Sequence, residues 1–119
     1  MENQEIGRIG ETIASDYLRN KDYKIIERNF QGRYGELDII TKDKDDTLVF
    51  VEVKTRIGDE YGDPAEAITK WKLREVVKTA EFYLLKNKLD VNWHIDAIAI
   101  SLNEDQTLKD LEHFENITL

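Results

Sequence analysis

Three charged residues, Asp38, Glu52 and Lys54, lie in two apolar runs that the polar segment 42–46 separates. Side chains alternate between the two faces of a strand, so Glu52 and Lys54 point to the same side of their run. If the polar segment is a hairpin loop symmetric about Asp45, Asp38 lies directly opposite Glu52. Opposed Cβ atoms are about 4.5–5.5 Å apart in such a pair. The spacing therefore predicts two carboxylates and an amine on one face.

Two carboxylates at this distance repel each other, and each raises the pKa of the other unless a cation lies between them. A divalent cation removes the conflict, and a small set of carboxylate oxygens suits Mg²⁺. A simpler interpretation is that Lys54 pairs with one acid on a solvated face of the sheet. These three residues alone leave both interpretations open.

The surroundings of Glu11 favour the metal interpretation. Gly7, Gly10 and Ala14 lie four residues before, one before and three after it in a predicted helix, so the helix surface around its side chain is almost bare. Glycine inside a helix costs roughly 1 kcal/mol relative to alanine. Close approach of a backbone or a ligand is the usual reason to keep it. Alternatively, the glycines serve helix-on-sheet packing and Glu11 is exposed.

The elements that must position these residues follow from hydrophobic periodicity. Apolar residues at helical spacing predict a first helix at 3–21. A second helix is expected from Asp63 to about Asn87, with Pro64 at its first position and Glu66 completing a capping box. Runs of β-branched and aromatic residues predict strands at 23–30, 35–41, 48–55, 91–101 and 108–117.

This order, α-β-β-β-α-β-(β), predicts an α/β sandwich in which helices flank a central mixed sheet. The 119 residues are expected to form a single domain over 1–119. The chain has no cysteine, which excludes disulfides, thiolate metal sites and cysteine nucleophiles. The polar N-terminus and the lack of a long apolar stretch lead us to expect a soluble cytoplasmic protein without a membrane partner.

Charge is distributed unevenly along the chain. The net charge of −8 argues against a non-specific nucleic-acid coat protein, which needs a basic footprint, but not against an enzyme that acts on nucleic acid. Residues 91–119 contain six acids and one lysine, whereas residues 70–78 contain four basic residues and one acid. The basic segment is either a phosphate-binding patch or ordinary surface patterning.

Taken together, these residues resemble the YraN-like family. That family is grouped with the restriction-endonuclease-like, or PD-(D/E)XK, nucleases and is regarded as distantly similar to archaeal Holliday junction resolvases. A lone E-x-K is a weak motif, but GE-x-D followed by VFVEVK-x-R, with G-x-x-GE upstream, is specific. The resemblance covers residues 5 to about 100 and is carried by Gly7, Gly10, Glu11, Ala14, Tyr17, Leu18, Asn29, Gly35, Glu36, Asp38, residues 49–54, Arg56, Gly62, Ala67 and Lys72.

The resemblance implies a restriction-endonuclease-like fold and a role for each matching residue. Asp38 and Glu52 would ligate Mg²⁺ or Mn²⁺, and Glu11 would assist through a water molecule or a second metal ion. Lys54 would complete the catalytic set as a cation that orients the attacking water and neutralises the phosphorane, because two adjacent carboxylates favour its charged form. Three further basic residues would contact flanking phosphates or serve as ordinary surface charges: Arg56, Lys70 and Lys72.

One departure from the family pattern precedes a late acidic residue. The family usually shows Arg-Phe-Asp-Val there, whereas this chain has HIDA at residues 94–97. A basic contact at His94 would be weaker than one from arginine, or pH-dependent. His94 and His113 have no spacing suited to a zinc site, and neither has a cysteine partner.

The resemblance leads us to expect a Mg²⁺- or Mn²⁺-dependent endonuclease that hydrolyses phosphodiester bonds in DNA, including branched or otherwise structured DNA. The alternative is a non-catalytic nucleic-acid-binding or protein-interaction module that keeps the nuclease fold, which the acidic total favours. Nothing in the sequence separates DNA from RNA. Symmetric cutting of a branched substrate needs a homodimer, with Tyr61 and Trp71 as candidate interface residues, whereas a single nick needs one copy.

Overall fold

Two helices and five strands follow one another in the expected order in the computed structural model, which describes residues 3–58 and 69–117. The strand predicted at 108–117 is confirmed, although it is shorter. The elements are α1 (Asn3–Asn20), β1 (Lys24–Gln31), β2 (Glu36–Lys42), β3 (Leu48–Ile57), α2 (Lys70–Lys86), β4 (Trp93–Leu102) and β5 (Leu108–Phe114).

The five strands form one mixed sheet in the spatial order β1-β2-β3-β4-β5. All neighbours are antiparallel except β3 and β4, which are parallel. A parallel pair needs a long crossover connection, and here the segment that contains α2 supplies it. The predicted α/β class with a mixed central sheet and two helices is therefore confirmed.

The two faces of β3 explain why the helices lie on opposite sides of the sheet. Val49 and Val51 pack with Leu18 of α1, and Phe50 packs on the other face with Val76 of α2. The first four residues of β3 are buried, and burial decreases from the fifth residue onward. Glu52 and the residues after it therefore lie where the strand leaves the core.

The second helix begins later than the capping-box pattern predicts. Thr69 has an extended backbone (φ −89°, ψ 158°), and its hydroxyl oxygen accepts a hydrogen bond from the backbone N–H of Lys72 at 3.1 Å. A residue in this conformation is the N-cap of a helix and not part of its interior. The prediction of one helix from Asp63 to Asn87 is therefore wrong at its start. Asp63 itself lies outside the described residues, and Asn87 is confirmed as the C-cap.

The first helix is amphipathic. Ile9 and Ile13 pack against the sheet, while Glu5, Asp16 and Asn20 are exposed. Within residues 3–58 and 69–117, no helix combines the length and the apolar composition that crossing a bilayer requires.

Candidate functional site

Asp38 and Glu52 lie on adjacent strands, as the hairpin register predicts. The paired residues of β2 and β3 end with Ile39 opposite Val51, so the next pair along the strands is Asp38 and Glu52. There, Oδ2 of Asp38 accepts a hydrogen bond from the backbone N–H of Val53 at 2.8 Å. The carboxyl groups of Asp38 and Glu52 are also hydrogen-bonded to each other. The hairpin thus brings both acids to one point.

Proximity and burial perturb the ionisation of both acids. Burial raises the pKa of Asp38, against the lowering effect of the Val53 N–H. Burial and the negative charge of Asp38 raise the pKa of Glu52 to about 8, and the Glu52 side chain is 13% exposed. A carboxyl group with this pKa keeps its proton at neutral pH. A metal ion at this position would replace that proton.

The basic residue beside this pair is Lys72, near the start of α2. Its Nζ lies 3.5 Å from Oε1 of Glu52, and the Thr69 cap fixes the turn that carries it. The sequence predicts Lys72 as a contact to a flanking phosphate or an ordinary surface charge, and that role stays a prediction; in the structure its Nζ lies beside the Glu52 carboxyl group. Lys54 follows Glu52 on the same side of β3 and is exposed. Lys54 forms no ion pair with any residue that the structure describes.

Glu11 reaches the same region from α1. Its Oε1 lies 3.9 Å from the guanidinium of Arg28. In the amide orientation that satisfies both acids, Nδ2 of Asn29 donates to Oε1 of Glu11 at 2.9 Å and to Oε1 of Glu36 at 2.8 Å. Asn29 has a positive φ of 56°, a conformation that asparagine tolerates better than most residues. Burial, followed by the negative charge of Asp38, raises the pKa of Glu11.

Glu11, Glu36 and Asp38 form a carboxylate cluster. One ligand oxygen from each lies within 4.8 Å of the other two. Glu52 does not belong to this cluster but is hydrogen-bonded to Asp38. Asp38 is therefore a member of both the carboxylate cluster and the pair with Glu52. The cluster faces a cleft of about 450 Å³ that is lined by Gln4, Gly7, Arg8, Glu11, Asn29, Gln31, Glu36 and Asp38.

The two glycines of α1 serve different purposes. A Cβ atom on Gly10 would collide with the side chain of Thr55 in β3, so glycine lets the helix approach the sheet at this point. A Cβ atom on Gly7 would meet nothing within 4 Å, and Gly7 lines the cleft. The close approach of helix and sheet that the sequence predicts occurs at Gly10. Gly7, which has no side chain, instead forms part of the cleft surface beside Glu11.

Comparison with known proteins identifies the family. The family model described as "Uncharacterised protein family UPF0102" matches residues 10–100. The chain belongs to the UPF0102 family. A UPF0102 protein of Clostridium botulinum (strain Loch Maree / Type A3) is 46% identical over 112 residues, which is 90% of each chain. A UPF0102 protein of Syntrophomonas wolfei is 54% identical over 82 residues, 69% of this chain and 70% of the relative.

One solved structure, Pyrococcus furiosus SfsA in complex with Ca²⁺, is similar at 16% sequence identity with a TM-score of 0.44. The similar region covers 91% of this chain and 62% of the SfsA chain. UPF0102 membership confirms the resemblance to the YraN-like family. The matched span contains all seven predicted site residues: Glu11, Asp38, Glu52, Lys54, Arg56, Lys70 and Lys72.

The remaining predicted residues of this UPF0102 protein lie at the edge of the described site or beyond it. Arg56 is half-buried, on the same side of β3 as Glu52 by strand alternation. Lys70 is the first residue of α2, and its side chain lies outside the described residues. The same holds for the side chain of Trp71 and for Tyr61 as a whole.

Sequence reasoning missed Glu36 and Asn29, although both belong to the motif that carries the UPF0102 resemblance. Glu36 lies two residues before Asp38, a spacing that places alternate side chains of a strand on one face. That spacing was the available signal for Glu36. No such spacing identifies Asn29, because its position at the site depends on the pairing of β1 with β2. In that pairing Asn29 lies opposite Asp38.

The carboxylate cluster fits a hard divalent cation. Mg²⁺ prefers oxygen ligands at about 2.0–2.1 Å, which places neighbouring ligands about 3 Å apart and opposite ones about 4 Å apart. The separations of up to 4.8 Å among Glu11, Glu36 and Asp38 need only small side-chain rotations to meet this geometry. Burial first, and neighbouring carboxylates second, raise the pKa values of Glu11, Asp38 and Glu52. The donor set, oxygen only and without sulfur or nitrogen, favours Mg²⁺ or Mn²⁺.

Proposed function

We propose that this UPF0102 protein is a Mg²⁺- or Mn²⁺-dependent endonuclease that hydrolyses phosphodiester bonds in DNA, with a restriction-endonuclease-like fold. The observation that carries the proposal is the convergence of acids on Asp38. Asp38 lies beside Glu52 on one side and clusters with Glu11 and Glu36 on the other, beside an open cleft. A structural protein has no evident need for four carboxyl groups at one point.

Each side chain has a distinct part in this proposal. Asp38 and Glu11 would hold the cation, with Glu36 and Glu52 completing its ligands. Asp38 is oriented by the Val53 N–H and Glu36 by Asn29, which limits their movement. When bound, the cation polarises the scissile phosphate and lowers the pKa of a bound water molecule.

Two lysines would act on the substrate. Lys72 lies 3.5 Å from the Glu52 carboxyl group and can turn toward a phosphate oxygen when a cation takes its place. Lys54 is exposed on the same side of β3 and would contact the transferred phosphate as a fixed positive charge. Arg56 and Lys70 would bind flanking phosphates, which position a nucleic acid without reading its sequence.

A second candidate function follows from the charge balance. A net charge of −8 disfavours contact with DNA outside the basic segment at 70–78. A non-catalytic module that binds nucleic acid or a protein partner would tolerate this balance. It would bind its partner without cutting and without needing a divalent cation.

A cleavage screen separates the two functions. Linear, single-stranded, flapped and four-way-junction DNA are incubated with the protein in Mn²⁺ and in EDTA, beside Glu52→Ala and a control variant. Asp16→Asn is the matched control because Asp16 is an exposed acid on the same helix as Glu11. The wild type and Asp16→Asn should cleave at least one substrate in Mn²⁺ and none in EDTA, whereas Glu52→Ala should cleave none. Binding without cleavage in Mn²⁺ would support the non-catalytic module.

A further inference from the structure

A second cluster of ionisable groups surrounds Asp96, at a different place in the sheet. Asp96 lies on β4 and its side chain is fully buried. Oδ2 of Asp96 is 2.7 Å from Nε2 of His113, and Oδ1 is 2.8 Å from Nδ1 of His94. Oδ1 also accepts a hydrogen bond from the backbone N–H of Asn116 at 2.8 Å. Among the described residues, the ion-pair partners of this carboxylate are two imidazoles.

Strand pairing, rather than sequence spacing, brings these groups together. β4 and β5 are antiparallel with Ile98 opposite His113, so His113 lies next to Asp96 across the ladder. The backbone N–H of Ile117 donates to the carbonyl of Ile95 at 2.7 Å and keeps the chain after β5 beside β4. Glu115 is held in this way near the same point. Ligand atoms of Asp96, His113 and Glu115 lie within 4.8 Å of one another.

Two details of the imidazole groups bear on metal binding at this cluster. Nδ1 of His94 is buried and close to Asp96, yet it forms no hydrogen bond. Nδ1 of His113 lies 3.1 Å from the hydroxyl group of Tyr17, so the distal nitrogen of this imidazole is already held. A metal-binding histidine almost always has its second nitrogen hydrogen-bonded in this manner. The hydroxyl group of Tyr23 donates to Oε1 of Glu115 at 3.4 Å.

We propose that Asp96, His113 and Glu115 form a second metal site, for a borderline transition ion of the Zn²⁺ type, with His94 beside Asp96 turning in as the fourth ligand. Zn²⁺ accepts imidazole nitrogen and carboxylate oxygen in four-coordinate sites. When a metal is bound, Nε2 of His113 would present its lone pair to the metal, and the ring proton would be carried by Nδ1, beside the hydroxyl group of Tyr17. The site has mixed nitrogen and oxygen donors, whereas the cluster around Asp38 has oxygen donors only, so the two sites select different metals.

The ion would fasten the segment that follows β5 to the sheet. Asp96 and His94 come from β4, His113 from β5, and Glu115 from the segment that follows. His113 and Glu115 lie beyond residue 100, where the family match ends. The site shares no residue with the carboxylate cluster around Asp38, so each proposal can fail without the other.

Cobalt and zinc titrations of the untagged chain test this site directly. The chain has two histidines and no cysteine, so a nitrogen-ligated site has no other imidazole to use. We expect tetrahedral Co²⁺ absorption in the visible range, displaced by one equivalent of Zn²⁺. The double variant Asp38→Asn/Glu52→Gln should bind as the wild type does, whereas His94→Gln and Glu115→Gln should each bind at least tenfold more weakly.

His94 and Glu115 are chosen because both are less buried than Asp96, so their replacement leaves the centre of the sheet unchanged. Circular dichroism and the melting temperature without metal confirm that each variant is folded. Tyr17→Phe, which keeps all four ligands, should bind about tenfold to a hundredfold more weakly. Absence of Co²⁺ absorption in the wild type would overturn the proposal. Equal binding by the wild type, His94→Gln and Glu115→Gln would do the same.

Discussion

Replacement of Glu52 by glutamine should stabilise the protein at alkaline pH. In the native state the pKa of Glu52 is raised to about 8 by burial and by the charge of Asp38. Between pH 4.5 and pH 8 the native state therefore holds a proton that the unfolded state has released. Stability must fall as the pH rises through this window. Glutamine has no proton to lose here, so the variant does not undergo this loss.

The size of the effect follows from the pKa difference. One pKa unit corresponds to about 1.4 kcal/mol, so the rise from 4.5 to about 8 destabilises the wild type by at most about 5 kcal/mol once Glu52 ionises. The lowering of the Glu52 pKa by Lys72, 3.5 Å away, is already contained in this value. At pH 9 Glu52→Gln should be more stable than the wild type by several kcal/mol, and at pH 4 the two should be nearly equal.

Urea denaturation in EDTA at pH 4, 7 and 9, followed by the fluorescence of the two tryptophans, measures this difference. Glu81→Gln is the matched control, because Glu81 is an exposed acid on α2 and its replacement should not change the pH dependence. A constant stability difference between Glu52→Gln and the wild type across the three pH values would refute the coupling of Glu52 to Asp38.

The remaining predictions concern packing, metal binding and assembly. Gly10→Ala should destabilise the folded protein by about 1–3 kcal/mol because the added Cβ collides with Thr55, whereas Gly7→Ala should stabilise it by roughly 0.5–1 kcal/mol. Urea denaturation compares the two variants, and equal effects on the free energy of unfolding would contradict the close approach of α1 to β3 at Gly10. Asp38→Asn/Glu52→Gln should melt at a higher temperature than the wild type in EDTA, and it should lose the stabilisation that Mg²⁺ gives the wild type by mass action. An equal rise in melting temperature with Mg²⁺ in both proteins would count against metal binding by these two residues. Sedimentation with a four-way junction should reveal a dimer, and a monomer with and without the junction would exclude paired cutting.

The part of the site that sequence reasoning predicts correctly depends on local geometry. The hairpin loop at 42–46 fixes the register of β2 against β3, so the position of Asp38 opposite Glu52 follows from counting residues. The apolar alternation of β3 likewise shows which side chains share a face. Both features depend only on residues close together in the sequence. Gly10, next to Glu11, adds the prediction that α1 approaches the sheet closely at this point.

The parts that escape prediction depend on distant pairing or on competing local signals. Asp63 and Glu66 form a capping-box pattern, yet Thr69 is the N-cap of α2 because its side chain bonds the N–H of Lys72. His94 and His113 are nineteen positions apart in the sequence and meet at Asp96 only because β4 pairs with β5. Spacing rules for zinc ligands do not detect such a pair.

The claim that Asp38 is a ligand of a divalent-cation site facing the cleft can be tested most directly by NMR with Mn²⁺. The paramagnetic ion broadens the resonances of nearby nuclei. Substoichiometric Mn²⁺ should broaden the amide signals of Gly7, Glu11, Asn29 and Asp38 first. The variant Asp38→Asn/Glu52→Gln should abolish this pattern while its spectrum stays that of a folded protein. Equal broadening of these signals in the variant, or broadening centred elsewhere in the wild type, would contradict it.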